Sequence, residues 1–312
     1  MKLVFKSVPL LFALVLAGAP AFAQEVPQQP NRFAASIAPA ERFEIGGMLV
    51  ERHGSGGRPL ILVPGLATGG WVWQETVRAF GKDHTVYVVT LPGFDGRPAV
   101  AGDPFDAARS ALKELVVTRK LAKPVIVGHS LGGTLAIALA EDLGERIGGA
   151  VAIDGLAVMP RTEGMPPDQR AAMADNMRQR MASLSPQAFA SQQQQYMRTI
   201  GVIDMGKADD LARLTARSDP AAVAAYMGAV LAQDLRPGLA AIRAPLLMVV
   251  PTYGPDNTAM GVSGLEKVAY YRELMTGTPK LDVATIDNAR HFAMLDQPAA
   301  VNDALRTFLK TL

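Results

Sequence analysis

The segment VIVGHSLGGTLA, residues 125–136, passes from three β-branched residues through Ser130 into a run of small residues. Valine and isoleucine favour β-strands, because their branched side chains fit a pleated, half-buried surface. Gly128 and Gly132 stand where a side chain would collide if the chain folded back on itself at the serine. The segment therefore predicts a strand, then a tight turn with Ser130 at its apex, then a helix.

Short apolar runs recur on both sides of this segment, with amphipathic stretches such as residues 106–120 between them. Runs that are apolar at consecutive positions are typical of strands buried on both faces of a parallel sheet. They are LILV at 60, VYVVTL at 86, VIV at 125, AVAI at 150, LLMVV at 246 and LDVATI at 281. The alternation predicts an α/β fold, with a mostly parallel central sheet flanked by helices.

The interval 156–244 interrupts this alternation, because it carries helical patterns and no strand-like run. A structureless loop of that length is uncommon within a compact domain. We therefore expect a core made of residues 42–155 and 245–312, with residues 156–244 inserted as a helical cap over one end of the sheet.

The N-terminal residues have the features of an export signal. Lys2 and Lys6 form a basic start, residues 8–16 are apolar, and an Ala-Phe-Ala sequence ends at Ala23. This order predicts that residues 1–23 are a cleaved signal peptide, since the apolar run is shorter than the ~20 residues that span a bilayer. Residues 24–41, rich in proline, glutamine and alanine, are expected to form a flexible linker.

The composition bears on location and on partners. The chain has no cysteine, which excludes disulfides, thiolate metal sites and a lipid-modified cysteine, and we expect a bacterial periplasmic or secreted protein. Without Lys2 and Lys6, basic and acidic residues are equal at 29 each, so no basic excess favours nucleic acid or acidic lipid. The four histidines lack the spacing of metal ligands, and we expect no metal, no cofactor and no membrane span in the mature chain.

Ser130 is the candidate nucleophile, because G-x-S-x-G between a strand and a helix is the context that exposes a reactive serine. A serine hydroxyl needs a base to remove its proton. Of the four histidines, His53 and His84 lie beside turn signals, and His129 occupies the variable position of the motif. His291 lies after the last predicted strand and before the final helix, and it is the candidate base.

Two residues are candidates for the acid that orients the base. Asp256 follows the LLMVV run and gives the chain order Ser, Asp, His, whereas Asp154 ends the AVAI run. Both residues can reach the same space, because neighbouring parallel strands end at the same edge of a sheet. We favour Asp256 and retain Asp154 as the alternative.

Donors for a developing oxyanion are also needed for acyl transfer. The amide of Leu131 opens the predicted helix, where the helix dipole adds to its effect. The amide of Leu66 lies in the loop after the LILV run, where Gly65 lets the chain turn. The alternative for this second loop is a glycine-rich turn with no further role.

Three further segments complete a resemblance to the α/β-hydrolase fold family, in the branch with a helical cap and G-x-S-x-G, over residues 43–312. LVPGLATGGWVW resembles its oxyanion loop, TLPGFDGRPA its Leu-Pro-Gly turn, and RHFAMLDQPAAV its histidine segment. The resemblance implies Ser130 as nucleophile, His291 as base, Asp256 as acid, and oxyanion donors at Leu66 and Leu131.

Two departures from the family pattern bear on these assignments. Pro64 stands where the family usually has a histidine, which removes a side chain that often supports the oxyanion loop. Gly254 and Pro255 lengthen the loop before Asp256, which keeps Asp154 in contention as the acid.

The expected substrate is a small, fairly hydrophobic carboxylic ester, cleaved by a serine hydrolase through an acyl-enzyme. Met173, Met177 and Met181 form one helical stripe, which is either a core-packing face or an adaptable apolar pocket, and Trp71 adds an aromatic surface. The same residues would also suit a lactonase, thioesterase, amidase, peptidase or perhydrolase. A different class is a hydrolase-like protein that binds a small ligand without turnover.

Overall fold

A computed structural model describes residues 31–33 and 37–312. The predicted signal peptide, residues 1–23, lies outside the described residues. Eight strands form one sheet in the order β1-β2-β4-β3-β5-β6-β7-β8. The strands are β1 (Glu41–Ile45), β2 (Met48–His53), β3 (Leu60–Val63), β4 (Val86–Thr90), β5 (Val125–His129), β6 (Gly149–Ile153), β7 (Leu246–Thr252) and β8 (Leu281–Asp287).

The sheet is antiparallel only at one edge, where β1 pairs with β2 and β2 with β4. All other neighbours are parallel. Every residue of β3 to β7 is buried, as expected of strands covered on both faces by helices. The predicted α/β class, with a mostly parallel central sheet, is confirmed.

Helices connect the strands and cover both faces of the sheet. Those of the core are α1 (Gln74–Phe80), α2 (Pro104–Thr118), α3 (Leu131–Leu143), α8 (Gly254–Ala259), α9 (Gly264–Leu274), α10 (Ala293–Asp296) and α11 (Pro298–Leu309). Between β6 and β7 come α4 (Pro167–Ala182), α5 (Pro186–Tyr196), α6 (Met205–Thr215) and α7 (Pro220–Ala232). We call α4 to α7 and their connecting loops the cap.

The cap is joined to the core through a short hinge. Val158, on the way into the cap, pairs with Asp234 on the way out, and the Leu235 amide donates to the carbonyl of Ala157 at 2.8 Å. Within the cap, α4 packs along α7, and α7 packs on α2 of the core. Both ends of the insertion therefore leave the sheet side by side.

The described part of residues 24–41 is docked on the folded domain. The Arg32 guanidinium pairs with Asp210 of α6 at 2.6 Å, the ring of Phe33 lies 6.4 Å from that of Trp71, and β1 already begins at Glu41. The expectation of a flexible linker does not hold for these residues, because their side chains have specific partners on the cap and the core.

Candidate active site

Ser130 occupies the tight turn between β5 and α3. Its φ of 53° and ψ of −119° are rare for a residue with a side chain and cost on the order of 1–3 kcal/mol. A Cβ on Gly128 would lie 1.8 Å from the carbonyl oxygen of Gly132, and one on Gly132 would lie 2.3 Å from the Val63 carbonyl oxygen. Only glycine therefore fits on either side of the serine.

The register of the sheet brings Asp154 beside Ser130. His129 and Ile153 are paired at the carboxyl ends of β5 and β6, so the next residue of each chain segment leaves the sheet at the same edge. The Ser130 amide donates to the Ile153 carbonyl at 2.9 Å. A Cβ on Gly155 would lie 2.6 Å from the Ser130 carbonyl oxygen, so the two segments are in direct contact.

His291 is hydrogen bonded to Asp154, with 2.6 Å between its Nδ1 and Oδ2 of the carboxylate. The hydroxyl of Tyr271, in α9, donates to the other oxygen, Oδ1, at 2.9 Å. Burial opposes the charge of Asp154, but the hydrogen bond and electrostatic attraction of His291, with smaller contributions from Lys267 and Tyr271, lower its pKa to about 2. The carboxylate is therefore ionised at neutral pH.

The prediction that Asp256 is the partner of His291 is wrong, and the alternative, Asp154, has that position. Asp256 instead forms a bidentate ion pair with Arg290, whose Nε and Nη2 lie 2.8 and 2.9 Å from its two oxygens. The physical reason is the path after each strand. Asp154 follows β6 directly, whereas Asp256 is carried beyond the end of β7 as the third residue of α8.

His129 is a buried neighbour of the candidate base. Its Nε2 lies 2.9 Å from the carbonyl oxygen of His291, and because a carbonyl only accepts, Nε2 carries the proton. Burial, and then the nearby charge of His291, lower its pKa well below the usual value, so this ring stays neutral. It lies against Gly65, on which a Cβ would be 2.7 Å from His129 Nδ1.

The loop after β3 lies against the serine. A Cβ on Gly65 would be 3.2 Å from the Ser130 Cβ, and the amide and hydroxyl of Thr68 both donate to the Gly65 carbonyl, at 3.2 and 2.7 Å. Leu66 lies within this turn, and Leu131 is the first residue of α3. Of the two residues predicted as oxyanion donors, Leu66 therefore follows a residue that lies against Ser130, and Leu131 follows Ser130 itself.

Tyr196, at the end of α5, lies over His291 from the cap. The two rings are nearly perpendicular, with centroids 6.1 Å apart. Burial and the negative charge of Asp154 raise the pKa of the tyrosine, so its hydroxyl remains protonated. Sequence reasoning missed Tyr196 and Tyr271, because nothing in their local sequence marks them as neighbours of His291. It also missed the role of Arg290, because the sequence does not show that its side chain binds Asp256 and the cap.

The residues predicted to bind substrate have packing roles. Met181 is buried in the main hydrophobic cluster, and Met177 packs against that cluster. Together with half-buried Met173, they follow the side of α4 that includes buried Ala174, and α4 packs on α7. Trp71 is buried in a second cluster. The stripe is therefore explained by helix packing, and the prediction of a methionine-lined pocket gains no support.

No group of three or more histidine, aspartate or glutamate side chains in residues 31–33 and 37–312 is arranged to hold a metal ion. In the same part of the chain, none of the helices combines the length and apolar character needed to cross a membrane.

Comparison with known proteins identifies the family. The model of the Alpha/beta hydrolase family matches residues 60–304. The chain belongs to the alpha/beta hydrolase family. This establishes the predicted fold family and the predicted class of enzyme, a hydrolase.

Solved structures with the same fold include two hydrolases. An esterase from Thermogutta terrifontis superposes with a TM-score of 0.68 at 22% identity, covering 87% of this chain and 99% of that one. An enol-lactonase from Burkholderia xenovorans LB400 gives a TM-score of 0.64 at 20% identity, covering 86% and 100%. At these identities the likeness concerns the fold alone.

A curated relative matches a shorter part of the hydrolase. The 2-succinyl-6-hydroxy-2,4-cyclohexadiene-1-carboxylate synthase of Escherichia coli O8 (strain IAI1) is 34% identical over 87 residues, which is 28% of this chain. The chain spans about a third of the length of the curated relatives it matches, 34% in this case.

Proposed function

We propose that this hydrolase cleaves carboxylic esters of small, fairly hydrophobic compounds through an acyl-enzyme. Ser130 is the nucleophile, His291 the base and Asp154 the acid. The observation that carries the proposal is the 2.6 Å hydrogen bond between His291 and Asp154, because the residue before Asp154 is hydrogen bonded to Ser130, which is held in a strained turn. Serine hydroxyls in such a setting are activated by the neighbouring imidazole.

The proposed reaction follows from the position of each proton. Because Nδ1 of His291 donates to ionised Asp154, its Nε2 is free to accept the Ser130 proton as Oγ attacks the ester carbonyl. The amides of Leu66 and Leu131 stabilise the oxyanion. Protonated His291 then gives its proton to the leaving alkoxide. A water molecule, deprotonated by the same nitrogen, hydrolyses the acyl-serine and releases the acid.

The surroundings of His291 support an uncharged substrate. Its ring centroid lies 4.6 Å from that of His129, 5.4 Å from that of Phe292 and 6.1 Å from that of Tyr196. The pKa directions of His129 and Tyr196 keep both side chains neutral. His129 and Phe292 are fully buried, so Tyr196 is the partly exposed one of these three rings. A neutral aromatic surface favours uncharged groups, so we propose that both halves of the ester are uncharged.

A fluorophosphonate tests the nucleophile without requiring the natural substrate. We expect intact-mass analysis to show one adduct on the wild type and none on Ser130→Ala, and p-nitrophenyl butyrate to be hydrolysed only by the wild type. An adduct without ester turnover would contradict the ester assignment and direct a screen to lactones, thioesters and amides. No adduct on folded wild-type protein would overturn the serine mechanism and favour a ligand-binding role.

We also propose export, on the basic, apolar and Ala-Phe-Ala pattern of residues 1–23. Expression of the full chain in a bacterium should give periplasmic or secreted protein whose N-terminal residue is Gln24. Recovery in the cytoplasm with Met1 retained would contradict this proposal.

A further inference from the structure

One turn of the cap lies against the loop that carries His291. Residues Met197–Gly201 form a π-helical turn directly after Tyr196. The amide of His291 donates to the carbonyl of Ile200 at 3.2 Å, and the amide of Phe292 donates to that of Gly201 at 3.0 Å. π-Helical turns are rare overall, and those that occur are often found at functional sites. Here the turn supplies backbone acceptors to the candidate base itself.

Arg290, the residue before the base, bridges the same turn to the core. Its Nη1 donates to the carbonyls of Arg198 and Val202, at 2.9 and 3.3 Å. Its Nε and Nη2 donate to Asp256 in α8, at 2.8 and 2.9 Å. The Arg290 side chain is only 15% exposed, and its bonds to the Asp256 carboxylate are charge-assisted.

A second carboxylate extends this bridge. Asp296 in α10 accepts the Arg290 amide at 2.9 Å through Oδ2 and the Ile203 amide at 3.1 Å through Oδ1. The Lys207 ammonium, at the start of α6, donates to the neighbouring Leu295 carbonyl at 2.7 Å. The cap and the loop of residues 290–296 are thus hydrogen bonded along their shared length.

We propose that Arg290 is a positioning residue for His291. It acts by binding the π-helical turn of the cap to the loop that carries His291. This inference rests on the proposed function. His291 lies in a loop between β8 and α10, where its ring is hydrogen bonded to Asp154 and its carbonyl to His129. A displacement of about 1 Å between base and nucleophile is enough to cost roughly 100-fold in rate. Asp256 acts by holding the guanidinium.

The other end of the cap offers a matched control. Arg236 also forms a bidentate pair with an aspartate, 2.8 and 2.7 Å from the two oxygens of Asp234. It also donates to the carbonyl of Glu163, in the segment between β6 and α4, at 2.6 Å. Both arginines combine a bidentate carboxylate pair with a bond to a backbone carbonyl, but Arg236 joins the entrance and exit of the cap at the hinge.

The experiment compares Arg290→Ala, Arg290→Lys, Asp256→Asn and Arg236→Ala in the mature protein, by thermal unfolding and by kcat and KM on p-nitrophenyl butyrate. We expect Arg290→Ala to lower kcat by roughly 30- to 100-fold with KM changed less than about threefold, because only the base moves. Arg290→Lys should recover part of that loss. Arg236→Ala should lower the melting temperature but leave kcat within about twofold, because its bonds stabilise the hinge alone.

Hydrogen exchange at the His291 and Phe292 amides gives a readout that does not depend on turnover. Faster exchange in Arg290→Ala than in Arg236→Ala would show that Arg290 holds the loop that carries His291, whether or not the fluorophosphonate and ester results support the proposed function. Unchanged exchange at both amides would overturn the positioning role, as would kcat losses that follow the melting temperature equally in both alanine variants. If Arg290→Ala fails to fold, Arg290→Lys and Asp256→Asn carry the same comparison.

Discussion

Asp154 and Asp256 follow neighbouring strands of one sheet and bind neighbouring residues of one loop, His291 and Arg290. Asp154 is the first residue after β6, and its side chain is 9% exposed. Asp256 lies four residues beyond β7 in a helix, and its side chain is 33% exposed. The distance along the chain from strand end to carboxylate therefore decides which partner each acid reaches.

The two acids also differ in the bonds that they accept. Asp154 binds an imidazole through one oxygen and a tyrosine hydroxyl through the other. Asp256 binds a single guanidinium through both. An imidazole can take up a proton at its other nitrogen and release it again, whereas a guanidinium stays charged throughout. Only the first arrangement suits proton transfer, and the second suits the fixing of structure.

The largest effect expected from this contrast concerns turnover. Asp154→Asn should lower kcat by roughly 10⁴-fold, because the amide cannot hold the imidazole in the required tautomer or stabilise its charge. Asp256→Asn, which leaves Asp154 and His291 in contact, should cost less than about 30-fold. Steady-state kinetics on p-nitrophenyl butyrate, with circular dichroism to confirm folding, measures both. Equal losses, or the reverse order, would break the distinction between the two acids.

A smaller difference is expected in the pH dependence of stability. The pKa of Asp154 falls from 3.8 to about 2 on folding, so its ionised form contributes about 2 kcal/mol. That contribution is fully present above the unfolded pKa and is lost as the pH falls from about 5 towards 2.

Urea unfolding between pH 6 and pH 2 provides the measurement. The free energy of unfolding should fall by about 2 kcal/mol less in Asp154→Asn than in the wild type over this range, whereas Asp256→Asn should keep most of the wild-type slope. Parallel curves for the wild type and Asp154→Asn would show that the buried carboxylate is not stabilised as an ion.

The smallest effect is expected at the second oxygen of Asp154. Tyr271→Phe removes one hydrogen bond to the carboxylate, which is worth about 1.5–3 kcal/mol at most, and we expect kcat to fall about 3- to 10-fold. Tyr270→Phe is the matched control, because the adjacent hydroxyl bonds Glu163 at 3.0 Å instead of Asp154. A loss in Tyr270→Phe equal to that in Tyr271→Phe would point to a general disturbance of α9.

Local chemistry explains which site residues are evident in the sequence. Ser130 is recognisable because its turn excludes side chains at Gly128 and Gly132, and this steric requirement falls within five consecutive residues. His291 is recognisable by its place after the last strand. The partner of His291 is not recognisable, because Asp154 and Asp256 both follow buried strands. Chain order favours Asp256, which binds Arg290 in the structure.

The methionine stripe and residues 24–41 show the same limit on what local sequence can reveal. A helical period reveals that Met173, Met177 and Met181 share a side of α4, but the period is the same whether that side meets a helix or a substrate. Residues 24–41 have the composition of a linker, yet Arg32 and Phe33 find partners 178 and 38 positions away in the chain.

The sequence by itself determined the α/β architecture, the strained serine turn and the candidate base, because each depends on apolar periodicity or on steric limits within a few residues. Only the tertiary structure decided that Asp154 binds His291, that Asp256 binds Arg290, and that the cap reaches the base through Tyr196 and a π-helical turn. Those contacts join residues far apart in the chain, and the path of each connecting loop through space selects one partner among chemically equivalent candidates.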